Sequence, residues 1–144
     1  MSSYTAVDVP STDSIPNGSS EKQRWAGRVM TGLAVVFLSF DITIKMLQSP
    51  EAIKGTTELG WPASVILPLG IVQLVCLIVY LIPRTAFLGA ILWTGYLGGA
   101  IATHVRVGNP LFSHVLFPVY VAALLWGGLW LRDRRLRKLL PISR

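Results

Sequence analysis

Four long apolar runs, three of them free of charged residues along their interior, dominate this sequence of 144 residues. They occupy residues 25–48, 62–82, 85–107 and 110–131. A helix of about 20 apolar residues crosses the hydrocarbon core of a bilayer, and each run is long enough to do so. With 52% apolar and only 14% charged residues, the chain is too apolar for a soluble domain of this size. The runs predict an all-α integral membrane protein, a four-helix bundle whose helices alternate up-down-up-down.

The short connections between the runs predict where helices end. Pro83 and Arg84 alone separate the second run from the third, so these two helices must be antiparallel neighbours. Gly108 predicts the end of the third helix, and Asn109 and Pro110 predict the cap and first residue of the fourth. Short loops of this kind favour a compact bundle.

The longer connection after the first run carries a helix-start signature. Ser49 is a favourable cap, Pro50 suits the first helical position, and Glu51 complements the positive end of the helix dipole. We expect a short interfacial helix to begin there and to stop at Gly55.

Basic residues fall mostly on one side of the predicted bundle. The opposite connections hold only Lys54 and Arg106. By the positive-inside rule, both termini are expected in the cytoplasm of a multi-pass cell-membrane protein. Residues 1–24 then form a flexible polar tail and residues 132–144 a basic cytoplasmic tail. The basic residues on the cytoplasmic side are Lys22, Arg24, Arg28, Arg84, Arg132, Arg134, Arg135, Arg137, Lys138 and Arg144.

Several functional classes are disfavoured by the sequence. The formal charge of +6 does not indicate nucleic-acid binding, because the basic residues cluster beside spans without a nucleic-acid-binding signature. Cys76 is the single cysteine, so neither an intramolecular disulfide nor a paired-thiol redox motif can form. No catalytic triad, phosphate loop, dinucleotide fingerprint or metal-ligand spacing is present. We therefore expect no nucleic-acid partner, no metal site and no catalytic residue.

Small residues in the third run predict close helix packing. Gly95 and Gly99 have the GxxxG spacing that allows two membrane helices to approach one another. We expect this helix to be the central, most closely packed one. The same two glycines could equally contact a membrane partner or a second copy of the chain.

Polar residues gather at one end of the predicted bundle. Asp41 and Lys45 lie four residues apart on one face of the first helix. They either pair while Lys45 extends toward the headgroups, or face inward and line a polar pocket. Gln73, in the middle of the second helix, is expected to form an interhelical hydrogen bond. If both termini are cytoplasmic, Asp41 and Lys45 lie near the outer face of the membrane. Glu58, His104, Arg106 and His114 are expected at the same depth.

This outer polar layer has three functional interpretations. It can form the mouth of a pocket for a small amphipathic ligand such as a quinone or a lipid, with Asp41, Lys45, His104, Arg106 and His114 as binding residues. Tyr96, Ala100 and His104 share one face of the third helix, which would turn His104 toward the first or fourth helix. Alternatively, His104 and His114 can hold a haem-type redox group, or the polar groups can simply satisfy one another and interfacial water.

Five segments carry a family resemblance: LGWP at 59–62, IPRT at 82–85, LGAIL at 88–92, GYLGGAIATHVRVG at 95–108 and WLRD at 130–133. Together they resemble the DoxX-like family of small bacterial membrane proteins. The resemblance implies a four-helix bundle in the bacterial inner membrane, with Lys45, His104 and Arg106 as family-typical positions. The family's name derives from a subunit of a thiosulfate:quinone oxidoreductase, so the resemblance brings a quinone into consideration.

The sequence favours a non-catalytic membrane component without a cofactor. Such a component would bind a small amphipathic ligand or a membrane partner through an outer-leaflet polar pocket. The alternative is a quinone-engaging subunit of a membrane redox complex, which would make the chain part of an oxidoreductase.

The charge asymmetry makes a direct prediction about orientation. Alkaline phosphatase folds only outside the cytoplasm, so a fusion placed after Arg144 is expected to be inactive, whereas a fusion in the loop after Lys54 is expected to be active. The phosphatase activity of each fusion, normalised to its abundance, reports on which side of the membrane the fusion point lies. Activity of the fusion after Arg144 would reverse the assignment.

Overall fold

The computed structural model describes residues 21–139, and this part of the chain contains helices and no strand. The predicted tail at 1–24 falls outside that range except for its last four residues. The last five residues of the predicted basic tail also fall outside it. The α-helices are α1 (Glu21–Met46), α2 (Pro50–Glu58), α3 (Ile66–Leu81), α4 (Ala86–Arg106), α5 (Phe117–Arg132) and α6 (Arg134–Leu139), with a 3-10 turn at Ala63–Val65 before α3 and a π-helical turn at Leu111–Val115 before α5.

Four helical segments in the described range are long and apolar enough to span a membrane. They coincide with the four apolar runs, which confirms an all-helical protein with four candidate spans. The first begins at Glu21, before the predicted start at residue 25. Residues 21–24 are good helix formers, and the acidic first turn complements the helix dipole, so the helix extends beyond its apolar part.

Contacts between helix ends define two ends of the bundle. Gly27, near the start of α1, lies against Leu131, near the end of α5. At its other end α1 lies against α3, where a methyl group at Gly70 would come within 3.2 Å of Lys45 Cβ. We call the end that carries the short helix α2 the α2 end, and the end that carries α6 the α6 end.

Helix α2 starts as predicted but does not stop where expected. The Ser49 hydroxyl accepts a hydrogen bond from the Ala52 amide at 3.2 Å, and Pro50 occupies the first turn. The prediction of a stop at Gly55 is wrong, since the helix continues to Glu58. A glycine inside a helix costs only about 1 kcal/mol, and the backbone bond from Leu59 N to Gly55 O continues the helical ladder across it.

The connection between α4 and α5 differs from the simple cap that the sequence predicts. Helix α4 does end just before Gly108, which has a φ of 71°. Asn109 does not cap the next helix, because its amide is bonded to His104 instead. A π-helical turn follows, with a bond from Leu116 N to Leu111 O, before α5 begins at Phe117. Pro118 lacks the N–H that would extend an α-helical ladder across this point.

Helix α4 packs closely on α3 at Gly89, where a methyl group would lie 2.4 Å from Tyr80 Cα, and α1 packs closely on α5. Gly128 lies directly against Thr31, and a methyl group at Gly27 would lie 2.8 Å from Leu131 Cβ. Methyl groups at Gly95 and Gly99 would meet no atom within 4 Å, so these glycines do not bring α4 against another helix of the chain. GxxxG spacing allows a close helix approach, but no helix of residues 21–139 packs against these two glycines.

The interior of the bundle is apolar, and so is much of its outer surface. Tyr80 and Trp93 are fully buried, and the Tyr80 hydroxyl donates to the Leu125 carbonyl at 2.8 Å. Large apolar side chains such as Val36 and Phe40 are exposed on the outside. An apolar surface of this kind is compatible with lipid, whose tails replace water around the helices.

The α1–α5 contact predicts different responses to two glycine substitutions. Gly128→Ala places a methyl group against Thr31, and overpacking of this kind costs about 1–3 kcal/mol. Gly98→Ala is the matched control, because it has open space and gains helix propensity. Thermal unfolding in detergent should show a lower melting temperature for Gly128→Ala only. Equal melting temperatures for both variants would contradict this packing.

Candidate functional site

A cavity of about 390 Å³ lies between the four long helices, toward the α2 end. Its lining is mostly apolar, with a few polar groups at one part of the wall. Gly95 and Gly99 border it, and the space that a side chain would fill at these positions is open. Both glycines are exposed, so the GxxxG pair leaves open space at the edge of the cavity. The polar and aromatic lining residues are Phe37, Asp41, Lys45, Thr56, Trp61, Gln73, Tyr96, Thr103, His104 and Phe117.

Aromatic side chains shape the apolar part of the cavity. The rings of Phe37 and Phe117 pack edge to face with centroids 5.2 Å apart, which links α1 to α5 beside the cavity. Tyr96 packs in the same manner on the buried ring of Trp93, at 5.7 Å. Edge-to-face pairs restrict ring rotation, so these walls are held in place by their neighbours.

Asp41 joins two helices at the polar part of the cavity. Its Oδ2 atom accepts a hydrogen bond from Lys45 Nζ, one turn further along α1. The same oxygen accepts from Gln73 Nε2, on α3, at 2.8 Å. The side chains of Asp41 and Lys45 are 26% and 17% exposed. The acidic and basic groups thus face the bundle, where each charge has a partner. The expected interhelical hydrogen bond of Gln73 is confirmed.

Gln73 contributes a hydrogen-bond acceptor that is not used. The side chain is 2% exposed, and its Oε1 atom has no hydrogen-bond partner among residues 21–139. Exchanging the amide oxygen and nitrogen would place Oε1 against the Asp41 carboxylate, so the orientation is chemically determined. A buried acceptor without a partner costs about 1–3 kcal/mol. Gln73 is a lining residue of the cavity, so its wall contains an unpaired hydrogen-bond acceptor.

His104 and His114 lie beside one another near the α2 end. Their ring centroids are 5.8 Å apart. Asn109 Nδ2 contacts His104 Nδ1 at 2.8 Å, which leaves the proton of the neutral ring on Nε2. Ser113 contacts Nδ1 of His114 at 2.7 Å. A second cavity of about 350 Å³ adjoins this pair, and its lining includes Asp41, Lys45, Glu58, His104 and His114.

Arg106 supports the cavity wall from outside. Its guanidinium donates to the Leu59 carbonyl at 2.8 Å and lies 5.7 Å from the centre of the Trp61 ring. Gly60, between these two residues, has a φ of 78°, and a side chain there would lie 3.2 Å from the guanidinium. Leu59 and Trp61 both line the central cavity. Arg106 thus positions the loop that closes this part of the cavity.

The residues predicted as binding residues fall into three groups. Asp41, Lys45 and His104 line both cavities, His114 lines only the smaller one, and Arg106 lines neither. Tyr96 and Ala100 line the central cavity together with His104, as their shared helix face predicts. Within residues 21–139, no three His, Cys, Asp or Glu side chains come together as a metal site would require.

Sequence reasoning did not identify the aromatic walls or the unused acceptor of Gln73. Phe37, Trp61 and Phe117 are apolar residues on or beside membrane helices, and the sequence pattern is the same whether such a side chain faces lipid or a cavity. The polarity of Gln73 in an apolar run was the one available signal, and it indicated a bond to another helix without indicating an unused oxygen.

Comparisons with known proteins identify one family. A family model described as the DoxX-like family matches residues 29–128. All residues that line the central cavity fall within this matched range. A search of curated proteins and a search of solved structures each found no match.

Proposed function

Because the chain belongs to the DoxX-like family, we propose that this multi-pass membrane protein is a non-catalytic component that binds a small amphipathic ligand in its central cavity. The observation that carries the proposal is Gln73, whose buried Oε1 atom has no donor within the described part of the chain. A ligand donor would remove the cost of that unpaired acceptor. The bound ligand would thereby stabilise the bundle.

The shape and polarity of the cavity favour an amphipathic molecule. Its volume of about 390 Å³ lies within the range of small-molecule pockets, about 300–1,000 Å³. Aromatic and glycine residues offer an apolar compartment for a ring or a short chain. The polar groups lie together on one part of the wall, where they would orient a single polar head.

The polar wall favours a head group that both donates and accepts hydrogen bonds. Gln73 Oε1 accepts, so it requires an O–H or N–H group on the ligand. Lys45 retains N–H donors beyond the one directed at Asp41, and His104 Nε2 carries a proton for an acceptor. A hydroxyl group on an apolar body satisfies both requirements.

The same wall disfavours catalysis by the protein itself. Asp41 Oδ2 accepts from both Lys45 and Gln73. This oxygen is therefore already occupied by two protein donors. The Lys45 ammonium is likewise engaged by Asp41.

An up-down-up-down arrangement with cytoplasmic termini completes the proposal. The contacts between helix ends support alternating directions, and the basic residues at the α6 end support a cytoplasmic location for that end. The cavity and its polar wall would then open in the outer leaflet. A ligand would enter from the lipid or from the outer surface.

A quinone-engaging subunit of a redox complex is the second candidate. The aromatic walls favour it, because Phe37, Tyr96 and Phe117 offer faces and edges to a planar ring. A quinol hydroxyl could donate to Gln73, whereas an oxidised quinone has only acceptors to offer. Organic extraction of the purified protein followed by an absorption spectrum distinguishes this candidate from a lipid ligand.

Filling the cavity from α4 tests the proposal. Native mass spectrometry of the protein released from mild detergent is expected to show a bound small molecule. Gly99→Leu puts a side chain into the cavity and should reduce the bound fraction at least tenfold. Gly98→Leu is the matched control on the same helix, because Gly98 does not line the cavity and has open space around it.

Two results would contradict ligand binding in this cavity. One is the wild-type protein carrying no small molecule when it is taken directly from membranes. The other is an equal loss of the bound molecule in both glycine variants, which would place the molecule elsewhere on the protein.

A further inference from the structure

A cavity of about 660 Å³ lies at the α6 end, at the opposite end of the bundle from the Asp41 cluster. Four arginines line it, and they come from four separate parts of the chain. Arg28 belongs to α1, Arg84 to the turn between α3 and α4, Arg132 to the end of α5, and Arg135 to α6. Their convergence is a product of the fold, since a simple charge run would have placed them on one segment.

The cavity contains almost no negative charge to offset the four guanidinium groups. Asp133 is the one acidic residue in its lining, and its Oδ1 atom accepts the backbone N–H of Arg135 at 2.8 Å. Among residues 21–139, none of the four arginines forms an ion pair with a carboxylate. Like charges held together repel one another, so an anion bound between them is favoured.

The structure also holds these arginines in position. Arg132 lies over the ring of Tyr80, with 5.4 Å from Cζ to the ring centre. Leu136, one residue after Arg135, is 4% exposed and packs into the hydrophobic core. Helix α6 is therefore docked on the bundle, which keeps Arg135 at the cavity. Such prior positioning reduces the entropy lost when a ligand binds.

The remaining lining is apolar. Phe87 and Leu129 border the cavity beside the arginines, and Phe87 is 47% exposed. Guanidinium groups form paired hydrogen bonds with phosphate oxygens, and apolar side chains next to them suit the glycerol and upper acyl region of a lipid. At the end of the spans, this cavity also lies at the depth of lipid headgroups.

We propose that the α6-end cavity is a binding site for a phosphate-bearing anion, with Arg28, Arg84, Arg132 and Arg135 as its ligands. The phosphate can belong to the headgroup of an anionic phospholipid or to a free phosphate anion. This site is separate from the central cavity and does not depend on the function proposed for it.

A binding experiment with matched variants tests the site. The full chain in detergent is titrated separately with phosphatidylglycerol, with zwitterionic phosphatidylcholine and with inorganic phosphate, and binding is followed by native mass spectrometry and by the melting temperature. Phosphatidylglycerol is expected to bind at least tenfold more tightly than phosphatidylcholine. If millimolar phosphate displaces phosphatidylglycerol, the site is open to free anions. If phosphate does not displace it, the site is specific for the lipid. Either result supports the proposal.

Two double variants separate a site from diffuse attraction. Arg84→Gln with Arg135→Gln removes two cavity arginines and should weaken phosphatidylglycerol binding at least tenfold. Arg134→Gln with Lys138→Gln removes the same charge from residues of α6 that do not line the cavity, and should change binding less than twofold. Equal weakening by both pairs would overturn the proposal. The proposal would also be overturned if the wild-type protein bound both lipids equally and did not bind phosphate. This comparison does not depend on the folding of any variant.

Discussion

The Asp41 carboxylate is the group on which the polar half of this bundle depends. An ionised carboxylate inside a membrane protein is stable only with partners, and Asp41 obtains them from Lys45 on its own helix and from Gln73 on α3. The first partner follows from helix geometry, whereas the second requires α1 and α3 to meet in one register. That register places the Gln73 amide so that its nitrogen is used and its oxygen is not. The interhelical bond and the unused acceptor of the central cavity therefore have the same origin.

Close packing and open space lie at different positions of the bundle. Where Gly27 and Gly128 bring α1 against α5, no room remains for another atom. A methyl group at Gly95 or Gly99 on α4 would meet no atom of another helix, and both glycines border the cavity. The two ends differ in charge as well. The α2 end holds the ion pair of Asp41 and Lys45, while at the α6 end none of the four cavity arginines pairs with a carboxylate of residues 21–139. Lipid tails contribute no hydrophobic force between helices, so these packing and polar contacts distinguish the fold from other arrangements of four apolar helices.

Local chemistry explains most of what the sequence predicts correctly. Ser49 caps α2 and α4 ends just before Gly108, because a cap and a stop depend on neighbouring residues. Predictions fail where a distant or competing contact decides the outcome. Asn109 suits a helix cap but binds His104, and Gly55 suits a stop but lies inside a helical ladder. Hydropathy cannot tell a phenylalanine that faces lipid from one that faces a cavity, so Phe37 and Phe117 became visible as cavity walls only in three dimensions.

The central claim is that Asp41 and Gln73 act as one unit between α1 and α3, and a double-mutant cycle tests it most directly. The free energy of unfolding in detergent is measured for the wild type, Asp41→Leu, Gln73→Leu and the double variant. Because a hydrogen bond to a charged group stabilises a protein measurably, we expect the double variant to be less destabilised than the sum of the single variants, with a coupling energy of about 1 kcal/mol or more. Additivity of the two substitutions would contradict the claim, since independent sites add within about 0.5 kcal/mol.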